Sequence, residues 1–323
     1  MRTGANIAGL TLGLLLGACT MLPSQTPPIE PLPSTIAPQA DDAFDDEFAP
    51  APTGASEELA VYYRRWQQDQ LTQGLLRTDG GGPDTPFTDT QLANNFVRIA
   101  LFDEYVARGG DLKAQATLSK LRRWETPIRM RLAFGDTVPS QIRAKDYGSV
   151  QSYAKRLSDL TGVPISFGAS AQNANFHVYI VNEEDRLGLG PELNQIAPGL
   201  SESTVRYTLN LPKDQLCLVI GIFKADGVTY DRAVAIIRGE HPDLLRLTCV
   251  HEELAQGMGL ANDYSRASPS IFNDNEEFGT LTRHDEFLLK MLYDKRFRTG
   301  MTAAEAAPIA REIARELMAE TTM

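Results

Sequence analysis

Between Pro127 and Gly168 the chain runs through an apolar stretch, an amphipathic stretch and a second apolar stretch, and that order leaves few folds open. "PIRMRLAFG" has strand character, "VQSYAKRLSDLTG" places Val150, Tyr153, Leu157 and Leu160 on one helical face, and "VPISFG" is a second, shorter strand. Such a unit implies a parallel pair joined by a right-handed crossover. "NFHVYIVN" and "LCLVIGIF" add further strands. "KADGVTYDRAVAIIR" then supplies a hairpin-like turn and another apolar run, before a helix expected from about Leu247. The fold class is therefore α/β (α+β), built on a mixed sheet.

Upstream, the composition changes twice. Arg2, an apolar run from Ile7 to Leu16 and "LGAC" ending at Cys19 have the layout of an export signal, too short to span a bilayer as a mature helix. The segment 1–19 resembles a bacterial lipoprotein signal, in which Cys19 becomes the lipid-bearing residue. That resemblance implies a cell-envelope protein held to a lipid membrane through Cys19. Thr20, rather than Asp, after the cysteine implies the outer membrane, with the chain facing the periplasm. Residues 20–55 are rich in Pro, Ala, Ser and Thr, acidic around "DDAFDDEF" and free of Lys and Arg, so they read as an extended tether. The net charge of -11 argues against nucleic acid as a partner, because phosphate binding needs clustered Lys and Arg. With Cys19 acylated, Cys217 and Cys249 are an even pair in an oxidising compartment, and a disulfide between them is expected.

Residues 56–124 read as a helical N-terminal region. Ser56 starts a helix running to about Arg77, with Leu59, Tyr62, Tyr63, Trp66 and Leu71 as its stripe. "TDGGGPDTPFTD" interrupts it, and Thr88 caps a second helix whose buried face is Leu92, Phe96, Ile99, Ala100 and Tyr105, ending at "RGG". The glycine run lacks the Lys-Ser/Thr of a phosphate loop, so residues 79–87 are read as a loop lying over a groove. Residues 296–323 form a C-terminal extension, with Ile309, Ile313 and Leu317 on one helical face.

The stretch "CVHEELAQGMGLAND", Cys249 to Asp263, carries the candidate chemistry. Read from His251, the second histidine of a zinc helix falls on Ala255. Read from Glu252, the spacing H-E-x-x-H-x-x-G-x-x-H is kept by Glu252, Glu253, Gln256, Gly259 and Asn262, with every histidine replaced. Downstream come "SIFND" and "LTRHDEFLLKMLYD", in which Asp285, Leu289, Leu292 and Tyr293 match the helix that follows the metal helix in matrixins. Phe272 stands where those enzymes have a methionine. Residues 125–295 thus resemble a degenerate matrixin-type metzincin domain, which implies a zincin-like twisted mixed sheet with two long helices. "EELAQGMGLAND", "SIFND" and "LLKMLYD" are also similar to a proteobacterial lipoprotein family catalogued as a domain of unknown function, family 2927.

On the metzincin alignment Glu253 would be the general base, and Glu252, Gln256, Asn262 and nearby Asp263 would take the ligand positions. All four would coordinate through oxygen, a set better suited to Ca²⁺ or Mn²⁺ than to Zn²⁺. The bland alternative is mutual hydrogen bonding within a former site. No cofactor is expected, with a divalent metal as the alternative. His177, His241, His251 and His284 are read as structural or exposed, although a site of His251, Asp285 and Glu286 stays open in the other frame. The leading expectation is a non-catalytic module, a pseudoenzyme, that binds an envelope protein or peptide by strand addition. A metal-dependent peptidase using Glu253 is the second, and a purely structural lipoprotein whose groove is closed by "DGGGPDTPF" the third.

Overall fold

A computed structural model describes residues 50–108 and 111–320. The signal segment with Cys19, and residues 20–49 of the tether, lie outside the described residues. Among the described residues no helix is long and apolar enough to cross a membrane.

The chain begins with α1 (Gly54–Thr72), capped by Thr53 rather than Ser56, and α2 (Asp89–Ala100), capped by Thr88 in a reciprocal box with Gln91. The second helix does not run on to Tyr105. It stops at Leu101, and the antiparallel hairpin β1 (Phe102–Arg108) and β2 (Asp111–Leu118) follows. Alternating small and polar residues between Phe102 and Leu118 suit a pleated ribbon, a period that the helical reading overlooked.

The strand–helix–strand unit forms as expected: β3 (Ile128–Phe134), α3 (Ser140–Thr161) and β4 (Ile165–Phe167), with β3 and β4 parallel. Gly162, at φ +72°, ends α3 in the left-handed conformation that a residue with a Cβ avoids. Next come β5 (Phe176–Val181) and three short helices, α4 (Glu183–Leu187), α5 (Gly190–Ile196) and α6 (Glu202–Leu209). The chain returns through β6 (Cys217–Phe223) and β7 (Tyr230–Arg238), an antiparallel hairpin. The remaining helices are α7 (Asp243–Gln256), which starts four residues before Leu247, α8 (Arg283–Leu292) and α9 (Ala303–Glu320).

The five-stranded sheet has the order β4-β3-β5-β7-β6; its first four strands are parallel and the edge strand β6 runs against them. Central β5 is buried at every position because both faces are covered. Phe176, Val178 and Ile180 join Val150, Leu157, Leu254 and Leu288 in the larger core, to which α2 and α9 also contribute Phe96 and Ala310. Tyr179 and Val181 face Leu193 and Val205 on the other side. Cys217 and Cys249 are bonded, with their Cα atoms 5.9 Å apart, which ties the edge strand to α7.

After α7 the chain turns at Gly259, whose φ is +119° and where a Cβ would lie 2.3 Å from the carbonyl oxygen of Arg122. A side chain there must displace backbone. Gly259→Ala is expected to lower the midpoint of thermal unfolding by about 5 °C or more. An unchanged midpoint by calorimetry would mean that the turn relaxes without cost.

Candidate active cleft

Residues at i, i+3, i+4 and i+7 share one helical face, so Cys249, Glu252, Glu253 and Gln256 look the same way from α7. The bond from Cys249 to Cys217 decides which way that is: toward β6. The turn below the helix is pinned from outside. Trp124 Nε1 donates to Gly257 O at 2.9 Å and Tyr293 Oη to Met258 O at 2.8 Å, while Tyr293 Oη also accepts from Trp124 N at 3.2 Å. Tyr293, singled out by its spacing alone, thus holds the end of α7 in place.

Between α7 and β6 lies a cavity of about 210 Å³. Helix α7 supplies Glu252, Glu253 and Gln256, the turn after it Asp263, and strand β1 Glu104. Asp214 and the 216–219 run close one side, and Asp274 and Glu276 stand on the rim. Among the described residues no Lys, Arg or His lines this cavity. A second cavity of about 240 Å³ shares Glu104, Leu218, Val219 and Gln256 with it and extends the groove along β6 to Phe223. That far end differs in character: Arg122 is ion-paired with Asp103 and lies 4.4 Å from the centre of the Phe223 ring. Among the described residues β6 pairs with β7 alone, so its outer edge faces the groove.

Burial disfavours the charged form of a carboxylate, and neighbouring carboxylates add to the effect. Burial pushes Glu252 and Glu253 well above the usual carboxylate range, reinforced for Glu252 by Asp263 and for both by Glu104. Asp263 moves the same way through burial, Glu104 and Asp274, against a hydrogen bond from Gln256 Nε2 at 3.2 Å. Burial and Asp274 raise Glu276 to about 7. Glu253, only 4 % exposed, has an oxygen, Oε2, sealed from solvent with no hydrogen-bond partner.

The rim is held by an unusual backbone pairing. Leu76 and Glu276 both adopt positive φ, 58° and 57°, in the left-handed region that side chains rarely enter. Leu76 N donates to Glu276 O at 2.8 Å, and Arg77 N to Glu277 O at 2.9 Å, so the segment leaving α1 props the acidic rim.

Of the residues singled out in sequence, Glu252, Glu253, Gln256 and Asp263 meet in the cavity. Asn262 does not: its Nδ2 donates to Arg98 O at 3.0 Å and to Asp263 O at 2.7 Å. The donor set fits a metal poorly, because Asn262 is turned away and Gln256 gives its N–H to Asp263. Among the described residues no three His, Cys, Asp or Glu side chains are grouped to hold a metal ion. Phe272 is fully buried in the loop below, and its carbonyl accepts from Tyr264 N at 2.8 Å. Asp285 anchors that loop, accepting from Ser270 Oγ, Ile271 N, Thr282 N and Thr282 Oγ1.

The site of His251, Asp285 and Glu286 does not form. His251 accepts from Leu281 N at 3.0 Å and stacks on Tyr153, Asp285 is engaged as above, and Glu286 pairs with Arg156 at 2.7 Å. All four histidines are buried and none lines the groove. The glycine loop also lies elsewhere: Gly80 O accepts from Arg283 N at the start of α8, and none of residues 79–87 lines the groove. It cannot close the groove as the third reading required. Sequence reasoning missed Glu104, Asp214, Asp274 and Glu276. The signal available was the shared face of Cys249 and Glu252, which with the disulfide would have set residues 216–219 opposite the glutamates.

A family described as "Protein of unknown function (DUF2927)" matches residues 89–312. No curated protein and no solved structure matches the chain.

A carboxyl whose pKa is raised on folding holds its proton in the folded state after the unfolded chain has lost it. The folded state therefore binds more protons between the two values, and stability falls as pH rises through them. For Glu276 that window runs from its ordinary value of 4.5 to about 7. Glu253→Gln removes the ionisation and is expected to raise the unfolding midpoint by about 3–8 °C at pH 8, with a change under about 2 °C at pH 5. A midpoint at pH 8 equal to or below that of the parent would mean that Glu253 is compensated in the folded chain.

Proposed function

The chain belongs to the family described as "Protein of unknown function (DUF2927)", and we propose its role from the groove: it binds an extended segment of a partner protein by adding it as a strand to β6, without cleaving it. The observation that carries this reading is the groove itself, which follows the outer edge of β6 from Asp214 to Phe223 and is floored by the end of α7. A sheet edge offers a row of backbone donors and acceptors to an extended peptide, and side-chain pockets beside it supply selectivity. The disulfide supports a binding role, because a groove whose two walls are bonded needs little ordering on binding.

We further infer a proteobacterial envelope lipoprotein anchored at Cys19, on the strength of "LGAC" and the polar segment after it. The antiparallel edge strand, the helix ending beneath it in a glycine turn and the buried Phe272 favour a zincin-like origin with its metal ligands replaced. Peptidase chemistry would need a water activated at Glu253, and the donors around it are poorly arranged for a metal to do so.

Two measurements test this. Peptides selected on the purified chain from a library of capped octapeptides should be recovered intact by mass spectrometry. N-methylation of every second amide should weaken them about tenfold or more, because it removes the ladder hydrogen bonds. Cleavage that is lost in Glu253→Gln would replace binding with hydrolysis as the function. In cells, labelled palmitate should be incorporated into the parent and not into Cys19→Ser; equal labelling would sink the anchor assignment.

A further inference from the structure

We propose that the carboxylate end of the groove is a specificity pocket for one lysine or arginine side chain of the bound segment, with the Glu253 carboxylate accepting one of its N–H groups. The assignment rests on the strand-addition reading above.

Carboxylates elsewhere in the protein are held by donors, and even Glu240, whose buried Oε2 also lacks a partner, accepts through Oε1 from Ser56 Oγ and Glu183 N. Asp285 receives four donors, Asp146 pairs with Arg246 at 2.6 Å, and Glu183 pairs with Arg238 at 3.2 Å. Glu253 is the contrast: 4 % exposed, it leaves Oε2 without a partner, and its side chain lines a cavity together with six other carboxylates. These come from separate parts of the chain, including β1, α7 and the rim loop, so they are not one solvated acidic run. Burial among other carboxyls disfavours their ionisation, and the ligand that would favour it is a cationic donor, which supplies both opposite charge and N–H groups.

The cavity has room for one such group. Its volume of about 210 Å³ compares with about 30 Å³ for a water molecule in the liquid. It opens beside Leu218 and Val219, so a residue at one register position of a strand laid on β6 would direct its side chain inward. The chain's own tether does not suit the pocket, because residues 20–55 carry acidic groups and no Lys or Arg.

The test is selection from a library of N-acetylated, C-amidated octapeptides on the full chain, on Glu253→Gln and on Glu276→Gln, with circular dichroism to check that each variant folds. The expected result is enrichment of Lys or Arg at one position by about tenfold, falling to under about threefold in both variants. For a selected peptide, replacing that residue with norleucine should weaken binding about tenfold, and replacing it with glutamate should abolish it. Enrichment of apolar residues at every position would overturn the pocket and leave strand addition standing. Retention of no sequence would overturn both. Displacement of the peptide by 1 mM Ca²⁺ or Mn²⁺ alone, together with stabilisation of the parent but not of Glu253→Gln, would make the pocket a metal site and overturn the assignment.

Discussion

The groove exists because β6 and α7 cannot part. Cys217 opens the edge strand and Cys249 sits one turn before the paired glutamates, so a single covalent bond sets the distance between the two walls. The α7 wall carries Glu252 and Glu253, and burial beside other carboxylates disfavours their charged forms. The thirty-two-residue separation of the cysteines makes the bond worth about 3–4 kcal/mol on the chain-entropy account.

The remainder of the site is fixed by well-satisfied hydrogen bonds. Trp124 and Tyr293 hold the backbone of the turn after α7, and Arg123 binds the carbonyls of Leu292, Asp294 and Phe297 at 3.0–3.1 Å. Asp285 closes the loop below. These anchors are rigid and lie outside the groove, so the strain of gathering like charges is confined to the one surface that faces solvent. The arrangement stores a preference for whatever neutralises it, whether protons at low pH or a positively charged group at higher pH.

Much of the fold was legible in the chain. Strong periodicity identified the parallel unit from β3 to β4, the strands β5 and β6, and the cysteine pair, because each rests on local pattern or simple counting. The hairpin β1–β2 was missed, because the helical stripe of α2 was carried on to Tyr105 across the weak alternation that follows Leu101. For the site, spacing picked out Glu252, Glu253 and Gln256, which share a cavity with nearby Asp263, whereas Asn262 turns away from it. A side chain just past a helix end has no fixed direction, and Asn262 found two backbone carbonyls instead. Glu104, Asp214 and the Asp274–Glu276 loop are three separate segments, and only the tertiary fold brings them together.

The strut beneath the acidic rim reaches further than its size suggests. Leu76 and Glu276 lean on each other through paired left-handed backbones, yet Leu76 precedes the family-matched region, which starts at residue 89. A boundary drawn by sequence similarity would therefore cut through a working part of the molecule. The segment before residue 89 belongs to the groove physically: a chain cut at that boundary would lose the backbone donors of Leu76 and Arg77 that hold the rim at 276 and 277, two hundred residues away.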